Sequence, residues 1–377
     1  MDSSSSIRHV AALDGIRGWA ALAVTFFHGI LHFNIGLIER VLYAPVAAMQ
    51  GGRDLLSKFL LAVFNGDSAV MIFFVLSGYV LSGSLDRTLD RDGRPLINSA
   101  DFLVKRLARI YPAMFGCMLL YWAIFLLSKG WIVYPAVTFD VFWKSSTLYD
   151  ITIHGPSWSL LVEVLAAPFV VAFVLLRRKY GFFALVLATC YSMFAIDYPV
   201  LVGYLGNLWP YLLAFAVGVG VASPQIKSIR FDAKPWHLSV AIIAFVFARH
   251  VVPRSGVSGL IAQTFIGGFV VYFASIVSSG AVYRFLVSKP SLFMGRVSYS
   301  FYLINVPILY LVWGVMETYF VQFTIDHKLA AGLGSAIIST AITIPLSVFS
   351  ERFIERPGIK FGKVITFWSS SPSRQTV

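Results

Sequence analysis

The chain reads as a succession of apolar runs separated by short polar segments. A helix that crosses a bilayer needs about 20 mostly apolar residues. Ten runs approach that length, at approximately 13–37, 60–83, 112–129, 157–176, 180–196, 200–222, 236–252, 258–280, 297–316 and 329–350. The fifth and seventh are short, and Asn65, Gly66 and Asp67 interrupt the second. No polar stretch is long enough for a second folded domain, and no internal repeat is evident. The pattern predicts an all-α, polytopic membrane protein with about ten transmembrane helices. It predicts one domain, with a core over about 11–360 and a tail at 361–377.

Charge adds an orientation. Cytoplasmic loops of membrane proteins collect Lys and Arg. Taking alternate segments from the N-terminus onward, one side holds 21 of the 30 basic residues, the other side holds 8, and Arg17 lies inside the first run. Both termini are therefore expected in the cytoplasm, which requires an even number of spans. The net charge of +12 follows from topology, and no nucleic-acid partner is implied. Composition agrees with a lipid surround: 58% of residues are hydrophobic and 13% charged, where soluble domains are about a quarter charged. The opening MDSSSSIRHVAALDG lacks the apolar stretch and cleavage site of a signal peptide, so the first run is expected to be retained. Cys117 and Cys190 lie within apolar runs and have no disulfide or metal spacing.

Ionisable groups inside spanning segments are costly and are candidates for function. Arg17 and His28 are eleven residues apart in the first run. On a helix this returns them to one face, about 16 Å apart along the axis. Arg17 is placed near the inner interface and His28 near mid-membrane, with His32 one turn further out. Asp14 reads as a helix N-cap or a partner of Arg17. In the fourth run Ser157, Trp158 and Ser159 are expected at the outer mouth, with Glu163 about 9 Å along the helix. Ser77-Gly78 and Ser82-Gly83 read as close helix packing. Arg106 and Arg109 are one turn apart, either on an interfacial amphipathic segment or as a phosphate clamp, because guanidinium forks match phosphate oxygens. Tyr299, Tyr302 and Asn305 form one stripe of the ninth run, with Arg296 at its inner end. Glu351 and Glu355 share a face and read as a solvated helix end.

Taken together, LDGIRGWAALAVTFFH, AVMIFFVLSGYVLS, FLVKRLARIYP, PSWSLLVEV, SYSFYLINVPIL and ERFIERP resemble, in order, the segments of the acyltransferase 3 family. Its hallmark, a basic residue and a histidine separated by ten residues, fits Arg17 and His28. The resemblance implies ten helices, cytoplasmic termini and an acyl-CoA donor, commonly acetyl-CoA, with no permanently bound cofactor or metal. It implies hydroxyl acceptors on extracytoplasmic polysaccharides, oligosaccharides or glycolipids, as in a bacterial inner membrane, with membrane lipid and glycan-synthesis proteins as further partners. This sequence departs from the family pattern in three places. Met71 stands where an acid is frequent, LLVEVLA replaces an SVE followed by a polar residue, and Asn305 stands where histidine is frequent.

These readings combine into one expectation. His28 acts as general base or acyl carrier, Glu163 orients it, and Arg17, Arg106 and Arg109 hold the CoA phosphates. The acceptor enters past Ser157 and Trp158. Two rivals use the same residues differently: a proton-coupled transporter with His28 and Glu163 as a relay, and a scaffold that needs none of them.

Overall fold

The computed structural model describes residues 10–367 except 43, 93, 230 and 252–256. Arg8 with the rest of the N-terminal tail, the basic residues Arg230 and Arg254, and residues 368–377 lie outside the described residues. The chain is 83% helical with no strands among the described residues. In order its helices are α1 (Ala11–His32), α2 (Gly52–Val63), α3 (Gly66–Asp92), α4 (Pro95–Ser128), α5 (Phe139–Ser146), α6 (Ser157–Tyr180), α7 (Phe182–Asp197) and α8 (Leu212–Ala222). They continue with α9 (Pro224–Lys227), α10 (Pro235–Val251), α11 (Val257–Ile276), α12 (Ala281–Leu286), α13 (Lys289–Tyr319), α14 (Val321–Asp326), α15 (Lys328–Ser350) and α16 (Arg356–Phe367).

Each of the ten apolar runs contains a helix. Six helical stretches, Gly52–Asp90, Pro95–Ser128, Ser157–Tyr180, Val257–Ile276, Lys289–Tyr319 and Lys328–Ile365, are long and apolar enough to cross a membrane. The protein is an integral, multi-pass membrane protein. The apolar helices α7, α8 and α10 are shorter, and Arg17, His28 and His32 leave α1 less apolar than those six. The run at 200–222 is helical as α8 only from Leu212: Gly203, Tyr204 and Gly206 adopt positive φ values of 63°, 53° and 48°, and Pro210 follows them.

The segment 84–112, expected as a loop, is mostly helix. The α3 helix runs on to Asp92, and α4 restarts at Pro95, a residue suited to a first helical turn. Arg177 of α6 is buried and grips Asp86 of α3 within 2.6 Å, while Arg178 binds Asp90 at 2.6 Å. The interrupted second run separates α2 from α3, and Asn65 Oδ1 accepts the Ser68 amide at 2.8 Å to cap α3. Before it, buried Lys58 donates to the carbonyls of Val41, Leu42 and Ala44 at 2.8, 3.2 and 2.6 Å, satisfying the end of the π-helical turn Ile38–Leu42.

Helices meet where side chains are smallest, as expected when lipid supplies no hydrophobic drive between them. A Cβ on Gly18 of α1 would lie 2.6 Å from the Gly295 amide nitrogen of α13. One on Gly332 of α15 would lie 2.6 Å from the Gly29 carbonyl oxygen. Gly78 and Gly218 join α3 to α8 in the same way, with a Cβ on Gly218 only 2.2 Å from the Val75 carbonyl oxygen.

Candidate active site

The helices α1 and α13 run parallel and set the depth scale of the molecule. Near their N-terminal ends Trp19 Nε1 donates to Ser291 Oγ at 3.0 Å, and Gly18 abuts Gly295. Towards their far ends His32 stacks on Trp313 with ring centres 3.8 Å apart and bonds Glu317 at 2.8 Å, so it is the interhelical link its position suggests. At about 1.5 Å per residue, Arg17 is level with the region of Gly295, and His28 with the stretch between Asn305 and Leu309.

Around the level of Arg17 and Tyr302 five helices enclose a cavity with about 820 Å³ of empty volume, part of it open to solvent. Arg17 (α1), Ser77 (α3), Arg106 and Arg109 (α4), Ser159 and Glu163 (α6), and Tyr299 and Tyr302 (α13) line it, with Phe73 and Phe74 among its apolar walls. The charges are arranged in pairs. Arg106 Nη2 donates to Glu163 Oε2 at 2.7 Å, and Ser77 Oγ donates to Glu163 Oε1 at 2.7 Å. Arg109 Nη2 donates to Glu355 Oε1 at 3.1 Å and lies over the Tyr299 ring, 5.4 Å from its centre. Ser300 Oγ takes the other Glu355 oxygen at 3.1 Å. Arg17 lies 3.7 Å from Asp14, its expected partner, and within electrostatic reach of Arg109, Glu163 and Glu355.

Donor capacity remains. Each guanidinium carries five N–H groups, yet buried Arg106 Nε has no partner among the described residues. Arg109 is 37% exposed at its side chain, against 10% for Arg106. Three guanidinium groups facing one cavity, with more N–H groups between them than the pairs above use, can receive a polyanion without giving up their carboxylates.

Of the residues singled out from sequence, the cavity brings together Arg17, Ser77, Arg106, Arg109, Glu163, Tyr299 and Tyr302. Glu163 is not hydrogen-bonded to His28: both its oxygens are taken by Arg106 and Ser77, because a buried carboxylate is stabilised by the nearest cation and donor. His28 does not line this cavity. It sits three turns along α1 beside Phe27, at the level where Gly66 of α3 packs on the Phe27 ring. The Phe73 and Tyr302 rings, 5.6 Å apart at their centres, stand at a depth between Arg17 and His28.

The outer mouth is also corrected. Ser157 is fully buried and donates to the His154 carbonyl at 2.7 Å, closing the turn before α6. Trp158 packs against Phe74 and Tyr211. Neither lines the cavity, because the helical phase of α6 turns Ser159 and Glu163 towards it instead. Moreover, α6 begins beside the middle of α13, where Tyr302 and Ser159 share a 2.8 Å hydrogen bond and His154 binds the Leu303 carbonyl. Irregular backbone at such depth is tolerable only where protein surrounds it. Asn305 is fully buried and donates back to the carbonyls of Phe301 and Tyr302 at 3.1 and 3.0 Å, off the cavity wall.

Glu351 and Glu355 are not a solvated helix end. Both are buried in the π-helical turn Glu351–Glu355, where Glu351 binds Arg356 at 2.6 Å and Glu355 binds Arg109. Ser77, read from sequence as helix packing, and Ser159, expected at the outer mouth, line the cavity, and Glu355 supports it from beneath Arg109. No group of three potential metal ligands occurs among the described residues. Cys117 is buried, Cys190 is exposed, and both are free thiols.

Comparison with known proteins agrees with the resemblance noted in the sequence. The family described as an acyltransferase domain, of the acyltransferase 3 type, matches residues 10–352, which include every charged residue lining the cavity. No curated protein and no solved structure matches the chain. Nothing in the match favours a transporter.

Proposed function

Because the chain belongs to the acyltransferase 3 family, we propose that this membrane acyltransferase moves an acyl group, acetyl in the simplest case, from cytoplasmic acyl-CoA to a hydroxyl of an extracytoplasmic glycan or glycolipid. The observation that carries this reading is the convergence of Arg17, Arg106 and Arg109 on one cavity of a chain in this family. CoA presents several phosphate charges, and guanidinium groups with unused donors are the side chains best matched to them. By the distribution of basic residues this cavity opens towards the cytoplasm. The natural setting of such chemistry is a bacterial inner membrane, with envelope glycan synthesis supplying the acceptor.

The thin, uncharged pantetheine arm suits the path beyond. With its phosphates at Arg17, it reaches past Phe73 and Tyr302 towards His28, a distance of about 16 Å along α1. At His28 the acceptor hydroxyl gives its proton to the imidazole as its oxygen attacks the thioester carbonyl. The carbon–sulfur bond breaks, and the CoA thiolate leaves with the proton that His28 releases. An imidazole is suited to this exchange because its unperturbed pKa lies near neutrality. Glu163 contributes by neutralising Arg106, and so holds the floor of the cavity rather than the base.

The test is acyl-CoA consumption by the purified protein in proteoliposomes, with a labelled acyl group and a glycan acceptor mixture. Thioester loss coupled to acceptor labelling, abolished in His28→Ala, is the expected result. Full activity in His28→Ala removes His28 from the mechanism, and no thioester consumption removes acyl-CoA as the donor.

A further inference from the structure

Leu303 lies one turn before Pro307 in α13. Proline has no amide hydrogen, so the Leu303 carbonyl loses its donor within the helix. Two groups replace it: His154 Nε2 at 3.0 Å and Cys117 Sγ at 3.3 Å. A carbonyl only accepts, so Nε2 of His154 carries the ring hydrogen and Nδ1 carries the lone pair. The ring is completely buried, lies edge-on to Tyr121 with centres 5.8 Å apart, and its Nδ1, though near the residue's own backbone, makes no hydrogen bond of good geometry. An orphan acceptor of this kind in a native interior calls for an explanation.

The depth scale places a donor nearby. Gly18 is level with Gly295 and His32 with Trp313. His28 therefore falls within about two helical turns of Leu303 along the α1–α13 seam. The two imidazoles are also within electrostatic reach of each other. A general base is held in position by a third group, and Glu163 is unavailable for that task, being bound to Arg106 and Ser77. The charge of Asp67, in the first turn of α3, also reaches His28 and makes it the rival positioning group.

Resting on the acyl-transfer reading above, we infer that His154 is the positioning residue for His28: its Nδ1 accepts a hydrogen bond from the His28 ring during turnover. The missing amide of Pro307 fixes the tautomer of His154, and His154 then fixes that of His28. The second nitrogen of His28 is left with its lone pair towards the reacting hydroxyl. Hydrogen bonds of catalytic groups are frequently long in the resting protein and tighten only around the substrate.

Histidine-labelled ¹⁵N protein in lipid nanodiscs tests the first link without any substitution. His154 should be protonated at Nε2 alone, and protonation at Nδ1 overturns the proposal. His154→Gln keeps an amide donor near the position of Nε2 but removes the acceptor at Nδ1. It should lower kcat by roughly 10- to 100-fold, the range for losing an orienting partner, with donor KM unchanged. The ¹⁵N signals of His28 should pass from one tautomer to a mixture. His154→Asn, whose amide oxygen can stand near Nδ1, should recover part of the rate. Unchanged kcat or an unchanged His28 tautomer in a folded His154→Gln protein overturns the pairing. So does the same tautomer mixing in Asp67→Asn with none in His154→Gln. The nitrogen signals decide the pairing even if His28→Ala proves active, so its failure is distinct from that of the acyl-transfer reading.

Discussion

The two polar regions along α1 are built on opposite plans. Around Arg17 the guanidinium groups and carboxylates are matched in direct pairs such as Arg106–Glu163 and Arg109–Glu355. Around His28 the polar groups of mid-α13 and before α6 are uncharged, and a charge reaches it only from a separate element, Asp67 of α3, among the described residues. There the notable features are acceptors without donors, Nδ1 of His154 and Oδ1 of Asn305. A paired cluster tolerates a polyanion because its spare N–H groups remain available. An uncharged cluster suits proton exchange, since a permanent charge at that depth would carry a large desolvation penalty. One region is suited to holding a donor, the other to moving a hydrogen.

Breaking the region around His28 should have the largest kinetic effect. His28→Ala is expected to lower kcat by roughly 10²–10⁴-fold while donor affinity, measured by calorimetry, stays unchanged. A parallel loss of donor affinity would merge the two regions into one. Removing a carboxylate from the region around Arg17 should instead be a matter of stability. Glu163→Ala leaves the buried Arg106 guanidinium uncompensated, which destabilises by about 3–5 kcal/mol and should show as a lower thermal midpoint, with Glu163→Gln less severe because Ser77 and Arg106 keep an amide partner. A variant outside both regions serves as a control. Gly218→Ala forces apart α3 and α8 at a cost of about 1–3 kcal/mol, and should lower the midpoint without altering donor KM. Smallest is Arg109→Ala. This side chain is more than a third exposed, so the effect is discounted for solvent screening: donor affinity should weaken about tenfold, less than a fully buried charge contact would give, with kcat nearly unchanged. A fall in kcat at constant affinity would move Arg109 from the donor site to the chemistry.

Much of this was legible in the chain itself. Apolar run length located a helix at ten places, because a long apolar stretch has few alternatives in lipid. The rarity of charge within those runs picked out Arg17 and Glu163, and one-turn spacing in the segment before the third run picked out Arg106 and Arg109; all four converge. Pairings were not legible. Whether Glu163 faces an imidazole or a guanidinium depends on where α6 begins in depth, and that is set by the turn at 148–156 folding into the bundle beside Leu303. The same turn hid His154, which precedes the helix and so fell outside any periodic pattern. Glu355 was visible as an acid, but its burial depends on the π-helical turn that brings it under Arg109.

The seam of α1 has a further consequence. At Gly18 and Gly29 the backbone of α1 touches the backbones of α13 and α15 with no side chain between them. Sliding or rocking there would drive carbonyl oxygens into neighbouring main-chain atoms, so α1 is a fixed spine rather than a lever. Any opening and closing during a catalytic cycle must come from the helices across from it, α4 and α6, and from the reactants themselves. A machine that carried solutes by tilting one half against the other would need slack at that join.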